Sequence, residues 1–486
     1  MKNFDKLEPK RVWAIFREIC SIGHPSGHEE KLAAAIAGRA EERGLAVRRD
    51  SAGNLRIDRP AAPGFENAPA VLLQAHLDMV PQAAPGVAFD FLNDPIPPVV
   101  REGWVVSAAG TTLGADDGIG VAAALALLFD ADFRCGPVAV LLTVSEEVGL
   151  NGAQALPKAF LAGKFLLNLD SEEEGELCVG CAGGARLDLE LEVPFEPVPA
   201  GMVGVSAEIR NLAGGHSGMN IGDRRGNAVR FLGELLTRCP ELRVGRVSGG
   251  TLDNVIPRSA AAWCAIDPEL LPAVRTRAAH LAVELAATFD APADFRIELH
   301  PAELPERVWE AAFQKRLAVA VAGAPDGVFT RDFRSGQIET SSNLAALRSE
   351  GGALRIRTSQ RSFSDAERER ATRRLIDWFA PLGAKPTVDS SYPGWAPEWE
   401  SPLLQEAVGI YRELFGAEPV VKVIHAGLEC GILRAANPEL QLISFGPTLE
   451  NAHSPSERLE IASVLKFDRF LRELVGRIAR MKGAER

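Results

Sequence analysis

Apolar residues recur along this chain in two different patterns. One pattern consists of continuous apolar runs of strand length, separated by helical stretches such as residues 119–129. Runs without polar alternation are typical of parallel strands that are buried on both faces of a sheet. The runs of this kind are residues 71–75, 138–144, 165–169 and, near the end of the chain, 440–445.

The second pattern, an alternation of apolar and polar residues, begins at 186–193 and persists to about residue 393. Mixed with helical stretches, it is typical of an antiparallel α+β domain. Helical and apolar strand-like segments then resume, with helices predicted at Pro402–Phe415 and 463–481 and a short strand at Val420–Ile424. We therefore predict an α/β domain with a mixed, mostly parallel sheet and helices on both faces, interrupted by an inserted α+β domain.

Two local signals refine this prediction near the start of the chain. Ser26 and Glu29 have the spacing of a capping box before the amphipathic stretch 31–43. Residues 52–54 separate two short strand-like runs and predict a hairpin turn.

Composition and charge exclude several classes of protein. The 486 residues include 65 acidic and 53 basic ones, and these are scattered rather than clustered, so no basic nucleic-acid surface is expected. No apolar run approaches the roughly 20 residues of a membrane span. The first 20 residues lack the pattern of a secretory signal, so we expect a cytoplasmic protein.

The seven cysteines are thinly spread, which is typical of a reducing compartment. Cys178 and Cys181 form a single CxxC pair that could be half of a zinc site or a redox pair. Because no second pair accompanies them, we favour a structural role in a Gly-rich turn.

Potential metal ligands follow the ends of the continuous apolar runs. In an open α/β sheet, ligands collect beyond the carboxyl ends of the strands, so residues far apart in sequence can meet there. Asp116 opens the helical stretch 119–129, where backbone N–H groups favour a carboxylate. The residues at the strand ends are His76, Asp78, Glu146, Glu147, Asp170 and His453.

Imidazoles with carboxylates, and no thiolates, suit a catalytic site for zinc, with manganese or cobalt as alternatives. We predict two divalent ions, one bound by His76 and Asp170 and the other by His453 and Glu147, with Asp116 bridging them. Two ions about 3.5–4 Å apart hold a water between them and polarise a carbonyl group.

Glu146 and Glu147 are adjacent, so their side chains point in different directions. We predict that Glu147 binds metal and that Glu146 is the general base. Asp78 is expected to accept the second N–H of the His76 ring. Each residue alone has an ordinary interpretation as a charged loop, helix cap or surface histidine, and the prediction depends on their joint occurrence at element ends.

Five motifs stand out along the chain: HLDMVPQ (76–82), TTLGADDGIG (111–120), SEEVGLNGA (145–153), NLDSEEEGELCVGCAGG (168–184) and NAHSPSERLEI (451–461). Together they resemble the aminoacyl-histidine dipeptidase branch of the metallopeptidase M20 family. The resemblance extends over nearly the whole chain, with few recognisable anchors between about Cys264 and Arg355. It implies a zinc-peptidase-like catalytic domain formed by residues 1–186 and 394–486, and an α+β lid formed by residues 187–393.

The resemblance implies the same metal ligands, the same base and the same role for Asp78. Asp117 stands where the bacterial branch is expected to have Asn, which leaves the bridging ligand intact and puts only substrate preference in doubt. In the lid, His216 corresponds to a histidine that stabilises the developing oxyanion, and Asn254 to a substrate-binding asparagine.

The resemblance also suggests residues that would hold the two ends of a substrate. Arg361 matches an arginine that binds the substrate carboxylate, with Arg357 as the alternative. Gly427 could offer its backbone to the substrate and Glu429 could face a substrate amine, although an ordinary strand-to-helix turn accounts for both equally well.

The expected function is the hydrolysis of dipeptides, either Xaa-His or a broader range, by a water that Glu146 activates. The alternatives are an N-acyl amino acid amidohydrolase and a non-catalytic peptide-binding relative. The sequence leaves open whether the chain forms a homodimer and whether His216 serves its own chain or a partner.

Overall fold

The computed structural model of this protein describes residues 4–481. Contacts divide the chain into two compact units. The first contains the described residues up to Gly180, Trp395–Val423 and those from Leu428 onward, and the second contains Cys181–Gly394 and Ile424–Gly427. Each unit encloses a hydrophobic core of its own.

No described helix has the length and apolar character that a bilayer crossing requires. Helices and strands are interspersed along the chain. The elements up to residue 181 are α1 (Lys10–Cys20), α2 (Glu30–Glu41), β1 (Ala46–Arg49), β2 (Leu55–Arg59), β3 (Val71–His76), β4 (Pro98–Arg101), β5 (Trp104–Ser107), α3 (Ala115–Leu128), β6 (Val138–Thr143), α4 (Asn151–Ala155), β7 (Phe165–Asn168) and β8 (Glu176–Cys181).

The middle of the chain is richer in strands. Its elements are β9 (Gly183–Glu192), β10 (Phe195–Pro197), β11 (Val203–Arg210), β12 (Gly215–His216), α5 (Ala228–Arg238), β13 (Arg243–Gly249), β14 (Val255–Ile256), β15 (Ala260–Ile266), α6 (Leu271–Thr288), β16 (Arg296–Pro301), β17 (Arg307–Trp309), α7 (Ala311–Ala322), β18 (Gly327–Arg331), β19 (Ile338–Glu350), β20 (Ala353–Ser362), α8 (Asp365–Phe379) and β21 (Lys385–Tyr392). The remaining elements are α9 (Pro402–Phe415), β22 (Val420–Ile424), α10 (Glu429–Ala436), β23 (Gln441–Ser444), β24 (Leu449–Glu450), β25 (Arg458–Glu460) and α11 (Ile461–Ile478).

The first unit is built on a mixed sheet with the strand order β1-β2-β6-β3-β7-β23-β8-β22. Its central strands β6, β3, β7 and β23 are parallel neighbours. Every residue of β3, β6 and β7 is buried, because helices contribute to the same core. These strands coincide with the continuous apolar runs, which confirms the prediction of buried parallel strands. The predicted hairpin is also confirmed, since β1 and β2 pair antiparallel.

A small sheet with the order β24-β25-β5-β4 connects late and early parts of the first unit. Strand β25 pairs antiparallel with β5, so that Arg458 lies opposite Val106. Strands β24 and β25 form a hairpin whose loop carries His453. Because β5 leads toward α3, this pairing brings the His453 loop to the segment that carries Asp116.

The second unit contains an antiparallel sheet with the order β16-β11-β15-β13-β19-β20-β9-β21, and β18 pairs with β19. In β9, Leu187, Leu189 and Leu191 face the core, together with apolar residues of the helices α5–α8. Asp188 and Glu190 alternate with them and are more exposed. The alternation observed in the sequence thus corresponds to one buried and one polar face, and the α+β prediction for this region is confirmed.

The predicted capping box is wrong. Helix α2 begins at Glu30 and its N-cap residue, Glu29, makes no side-chain capping bond. The Ser26 hydroxyl donates instead to the Asp78 carboxylate at 2.8 Å, and Glu29 accepts from the Ser145 N–H at 2.9 Å. Both side chains bind loops that follow strands, so tertiary contacts replaced the local cap.

The CxxC pair is also placed differently from the prediction. Cys178 and Cys181 lie within strand β8 rather than in a turn, and both are buried. The thiol of Cys178 donates to the carbonyl oxygen of Gly180 at 3.1 Å.

Candidate metal centre

The first unit collects titratable side chains at one edge of its large sheet. His76 is the last residue of β3, Glu146 and Glu147 follow β6, and Asp170 follows β7. Because these strands are parallel neighbours, their carboxyl ends lie side by side. One potential ligand atom from each of His76, Glu146 and Glu147 lies within 4.8 Å of the others.

Asp116 belongs to two further groups of potential ligands. Its Oδ1 lies 3.1 Å from Nε2 of His76, and its Oδ2 lies 3.0 Å from Nε2 of His453. His76 Nε2 is also 3.4 Å from Oδ1 of Asp170, and His453 Nε2 is 2.8 Å from Oε1 of Glu147. The arrangement therefore consists of two adjacent groups that share one carboxylate, each with its ligand atoms within 4.8 Å of one another.

The hydrogen bonds of His76 indicate that a cation fits between these atoms. Nδ1 of His76 lies 2.9 Å from the carbonyl oxygen of Asp78, so Nδ1 is the donor and Nε2 of the neutral ring presents a lone pair. This lone pair faces carboxylate oxygens of Asp116 and Asp170, which are acceptors as well. A proton or a metal ion is needed to make such a contact favourable.

The electrostatics of the site point in the same direction. Burial alone would lower the pKa of His76, but the carboxylates of Asp170 and Asp116 hold it well above its usual value. The hydrogen bond to Asp116 and the adjacent carboxylate of Glu147 raise the pKa of His453 to about 11. Imidazoles that retain protons this strongly report a negative potential, and that potential attracts a divalent cation equally well.

Asp78 makes contacts that differ from those expected. Its carboxylate lies 3.6 Å from Nδ1 of His76, beyond hydrogen-bond distance, because its own backbone carbonyl occupies that position. The two carboxylate oxygens accept instead from the backbone N–H groups of Glu146 and Glu147, at 2.9 and 3.2 Å. Asp78 thus holds the loop after β6 by its side chain and orients the His76 ring by its backbone.

Glu146 has the electrostatic surroundings of a base. Burial, followed by the negative charges of Asp170 and Glu429, raises its pKa well above the usual value for a carboxyl group, although His76 opposes the shift. A carboxylate with a raised pKa accepts protons more readily near neutral pH. Glu146 also lies beside the ligand atoms of His76 and Glu147.

Glu429 is fully enclosed in the first unit. Its Oε2 accepts from the Thr143 hydroxyl at 2.7 Å and from the Gln74 side-chain amide at 2.5 Å. Its Oε1 has no hydrogen-bond partner among the described residues. Burial raises the pKa of Glu429 to about 7. Only one oxygen of this carboxyl group is therefore left for another ligand.

In the second unit, His216 presents one side of its ring as a hydrogen-bond donor. It lies in the two-stranded β12–β14 pairing, opposite Val255. Its Nδ1 accepts from the backbone N–H groups of Gly218 and Met219, each at 3.2 Å, so Nε2 of the neutral ring carries the proton. Burial and the nearby charge of Arg361 lower the pKa of His216 to about 4. The ring is therefore neutral at pH 7.

Arg361 lies in the same unit and is buried. Its Nε donates to the Ser217 hydroxyl at 3.4 Å and its Nη1 to the Tyr392 hydroxyl at 3.2 Å. Arg357, its alternative, instead forms a bidentate ion pair with Asp188, at 2.7 and 3.0 Å. Of the two guanidinium groups, that of Arg361 is bonded only to neutral hydroxyls among the described residues.

The two remaining candidates, Asn254 and Gly427, lie next to Ser217 and Tyr392, the hydrogen-bond partners of Arg361. The carbonyl oxygen of Asn254 accepts from the Ser217 N–H at 2.8 Å. A side chain at Gly427 would bring its Cβ to 3.0 Å from the Tyr392 ring, so this position is suited to glycine. The second unit thus groups Asn254, Arg361 and Gly427 around Ser217 and Tyr392, neither of which the sequence analysis identified.

Residues 72–477 match the sequence profile described as peptidase family M20/M25/M40. The chain is 39% identical over 486 residues to the cytosol non-specific dipeptidase of Escherichia coli (strain K12), covering 98% of this chain and 99% of that protein. The chain belongs to peptidase family M20/M25/M40. This M20 peptidase is therefore a hydrolase that acts on peptide bonds, and the family resemblance stated above is confirmed.

Solved structures agree with this assignment. The aminoacylhistidine dipeptidase of Vibrio alginolyticus superposes with a TM-score of 0.87 at 37% identity, over 98% of this chain and 99% of that one. A tripeptidase of Staphylococcus aureus superposes with a TM-score of 0.58 at 17% identity, over 98% and 100% of the two chains, which shows a shared fold.

Glu457 is a further residue next to the metal-ligand cluster of this M20 peptidase that was not predicted from the sequence. This buried carboxylate lies four residues after His453 and accepts hydrogen bonds from the segment that carries Asp116. Glu457 lies within the motif 451–461, but a glutamate in a polar loop has no local signal that distinguishes a buried carboxylate from a solvated one. Its role becomes apparent only from the pairing of β25 with β5.

Proposed function

We propose that this M20 peptidase is a dipeptidase with a dinuclear metal centre in the first unit. The observation that carries the proposal is the position of Asp116, whose two carboxylate oxygens each face a different histidine, His76 and His453. A carboxylate in this position would bridge two cations, as in two-metal hydrolases.

The donor set fits two divalent ions of borderline hardness, zinc foremost, with manganese or cobalt as alternatives. His76 and Asp170 would hold one ion, His453 and Glu147 would hold the other, and Asp116 would bind both. When bound, the two cations lower the pKa of a water molecule and polarise the peptide carbonyl.

Glu146 would act as the general base. It would accept a proton from the attacking water as the oxygen–carbon bond forms, and would donate that proton to the nitrogen as the peptide bond breaks. Asp78 would support this step by holding the backbone of Glu146 in place.

We propose that the second unit is a lid that contributes hydrogen-bond donors and substrate contacts. His216 would donate its Nε2–H to the carbonyl oxygen as negative charge develops there. Arg361 would bind the substrate carboxylate, with Asn254 and the backbone of Gly427 as further contacts. In the first unit, the free Oε1 of Glu429 would accept from the substrate amine.

The substrates would be dipeptides with a free amine and a free carboxylate, Xaa-His among them. The names of the Escherichia coli and Vibrio alginolyticus relatives, a non-specific dipeptidase and an aminoacylhistidine dipeptidase, support this range. The name of the Escherichia coli relative, a cytosol dipeptidase, supports a cytoplasmic location.

The proposal is tested by loading the purified chain with zinc, manganese or cobalt separately and assaying a substrate panel. We expect turnover of several dipeptides, weaker turnover of tripeptides, and none of N-acetyl amino acids. Preferential hydrolysis of N-acetyl amino acids would contradict the dipeptidase proposal and show that the protein is an amidohydrolase. If calorimetry detects dipeptide binding but no metal-loaded form hydrolyses a dipeptide, the protein is a peptide-binding protein and the dipeptidase proposal is wrong.

A further inference from the structure

Glu457 lies buried at the end of the hairpin loop that carries His453. The residue is 2% exposed and directly precedes strand β25. Because Arg458 pairs with Val106 of β5, Glu457 lies beside the segment that leads from β5 into α3. The chain thus brings a buried carboxylate next to the residues that precede Asp116.

This carboxylate accepts hydrogen bonds from four consecutive backbone N–H groups. Oε2 accepts from Leu113 at 2.7 Å and from Gly114 at 3.2 Å, and Oε1 accepts from Ala115 at 2.7 Å and from Asp116 at 3.4 Å. Successive N–H groups that converge in this way form a nest for an anion. Gly114 allows the nest to form, because it has a φ of +70°.

The nest holds the backbone of Asp116, from which its side chain extends toward His453. Its last N–H belongs to Asp116 itself, and the carboxylate of Asp116 then reaches His453 at 3.0 Å. His453 and Glu457 belong to the same hairpin loop. Four backbone hydrogen bonds to Glu457 and the side-chain contact between His453 and Asp116 therefore connect this loop to the Asp116 segment.

We propose that Glu457 is a positioning residue that fixes Asp116 relative to His453 and thereby sets the affinity of the metal centre. The inference rests on the proposed function and adds a residue that acts through the backbone of a ligand. A buried acid that only stabilised the fold would alter the melting temperature without altering the metal affinity of the folded protein.

The test is zinc binding by Glu457→Gln, measured in competition with a chromophoric chelator. Glutamine has a similar size, but its NH₂ group cannot accept from the nest, so two of the four bonds are lost. We expect zinc affinity for at least one ion to fall about 10- to 100-fold, the usual effect of removing a group that orients a metal ligand. Activity against a dipeptide should fall at limiting zinc and recover at saturating zinc.

Glu450→Gln is the matched control. Glu450 lies in the same hairpin, but its carboxylate is 40% exposed and pairs with Arg458 rather than with the nest. We expect its zinc affinity to equal that of the wild type. Wild-type zinc affinity in Glu457→Gln, to within about twofold, would overturn the proposal.

Glu457→Asp serves if Glu457→Gln does not fold, as judged by circular dichroism. The shorter side chain keeps the charge but cannot reach all four N–H groups, so weaker zinc binding is again expected, and unchanged binding would overturn the proposal. Failure of the wild-type chain to bind zinc would contradict the proposed function itself. A wild-type chain that binds zinc but cleaves no dipeptide would contradict the dipeptidase activity and leave the zinc test of Glu457 valid.

Discussion

The two units of this M20 peptidase carry polar clusters of opposite character. The cluster of the first unit consists mainly of acceptors, since Asp116, Glu147 and Asp170 surround two imidazole nitrogens. The cluster of the second unit consists of donors, with the Nε2–H of His216 and the guanidinium of Arg361. The pKa shifts of the two histidines reflect this contrast. The pKa of His453 is raised to about 11, whereas the pKa of His216 is lowered to about 4.

This contrast indicates which part of a substrate each cluster would recognise. A ring of carboxylates attracts cations and is stable only when cations or protons occupy it. A neutral imidazole donor beside a guanidinium attracts anions, including a carboxylate or a developing oxyanion. Under the proposed function, the first cluster would bind the metal ions and the second would bind the negatively charged parts of the substrate.

The sharpest way to break this contrast is to remove the shared carboxylate. In Asp116→Ala we expect bound metal to fall by about half or more, with a loss of activity greater than for any other single change, since both proposed ions would share this ligand. Metal content is measured by elemental analysis. Asp117→Asn is the control, because the Asp117 carboxylate accepts from the backbone N–H groups of His76 and Gly120, and the amide oxygen of Asn can keep the bond from His76. Two tightly bound ions in Asp116→Ala would contradict the shared-ligand geometry.

The next test separates the adjacent glutamates. Glu146→Gln should lower kcat by about 10²- to 10⁴-fold, the usual contribution of general acid–base catalysis, while retaining both ions. Glu147→Gln should instead lower the metal content, because its Oε1 lies against His453. The two variants are compared by steady-state kinetics at saturating metal. Full activity in well-metallated Glu146→Gln would refute the base assignment.

Arg361 and Arg357 provide a matched pair in the second unit. Arg361→Met should lower kcat/KM about 10- to 100-fold, mainly through KM, because a charged hydrogen bond to the substrate carboxylate is lost. Arg357→Met removes a partly exposed ion pair with Asp188, and stability should fall by about 1 kcal/mol or less.

A dipeptide amide, which lacks the carboxylate, sharpens the Arg361 test. Wild type and Arg361→Met should hydrolyse the amide at similar rates. A large difference on the amide would show that Arg361 serves the fold rather than the substrate.

The smallest expected effect concerns pH. The pKa of His216, about 4, lies below the usual value, so the ring stays neutral as pH falls from 8 to 5.5 and is protonated only near pH 4. The ratio of kcat/KM between wild type and His216→Gln should therefore be constant from about pH 5.5 to pH 8. A ratio that declines as pH rises through about 6.5 would mean that His216 acts as a cation.

The pattern of apolar and polar residues was sufficient to predict the elements whose position depends on burial. The apolar runs 71–75, 138–144 and 165–169 could be predicted to be parallel strands, because a strand covered on both faces has no polar alternation. That prediction alone implied that His76, Glu146 and Asp170 share one sheet edge. Strand ends are informative because parallel strands align their carboxyl ends whatever their separation along the chain.

Contacts between distant polar groups were decided only by the tertiary structure. Ser26 and Glu29 match a capping box in sequence, yet they bind loops elsewhere, and Asp78 holds a loop rather than a ring nitrogen. The hydrogen bonds of Glu457 to the Asp116 segment depend on the pairing of β25 with β5, which the sequence does not indicate. Hydrogen bonds are short and directional, so which partner a polar side chain finds depends on the final packing. Burial of apolar residues is non-directional, and it can therefore be read from the order of residues alone.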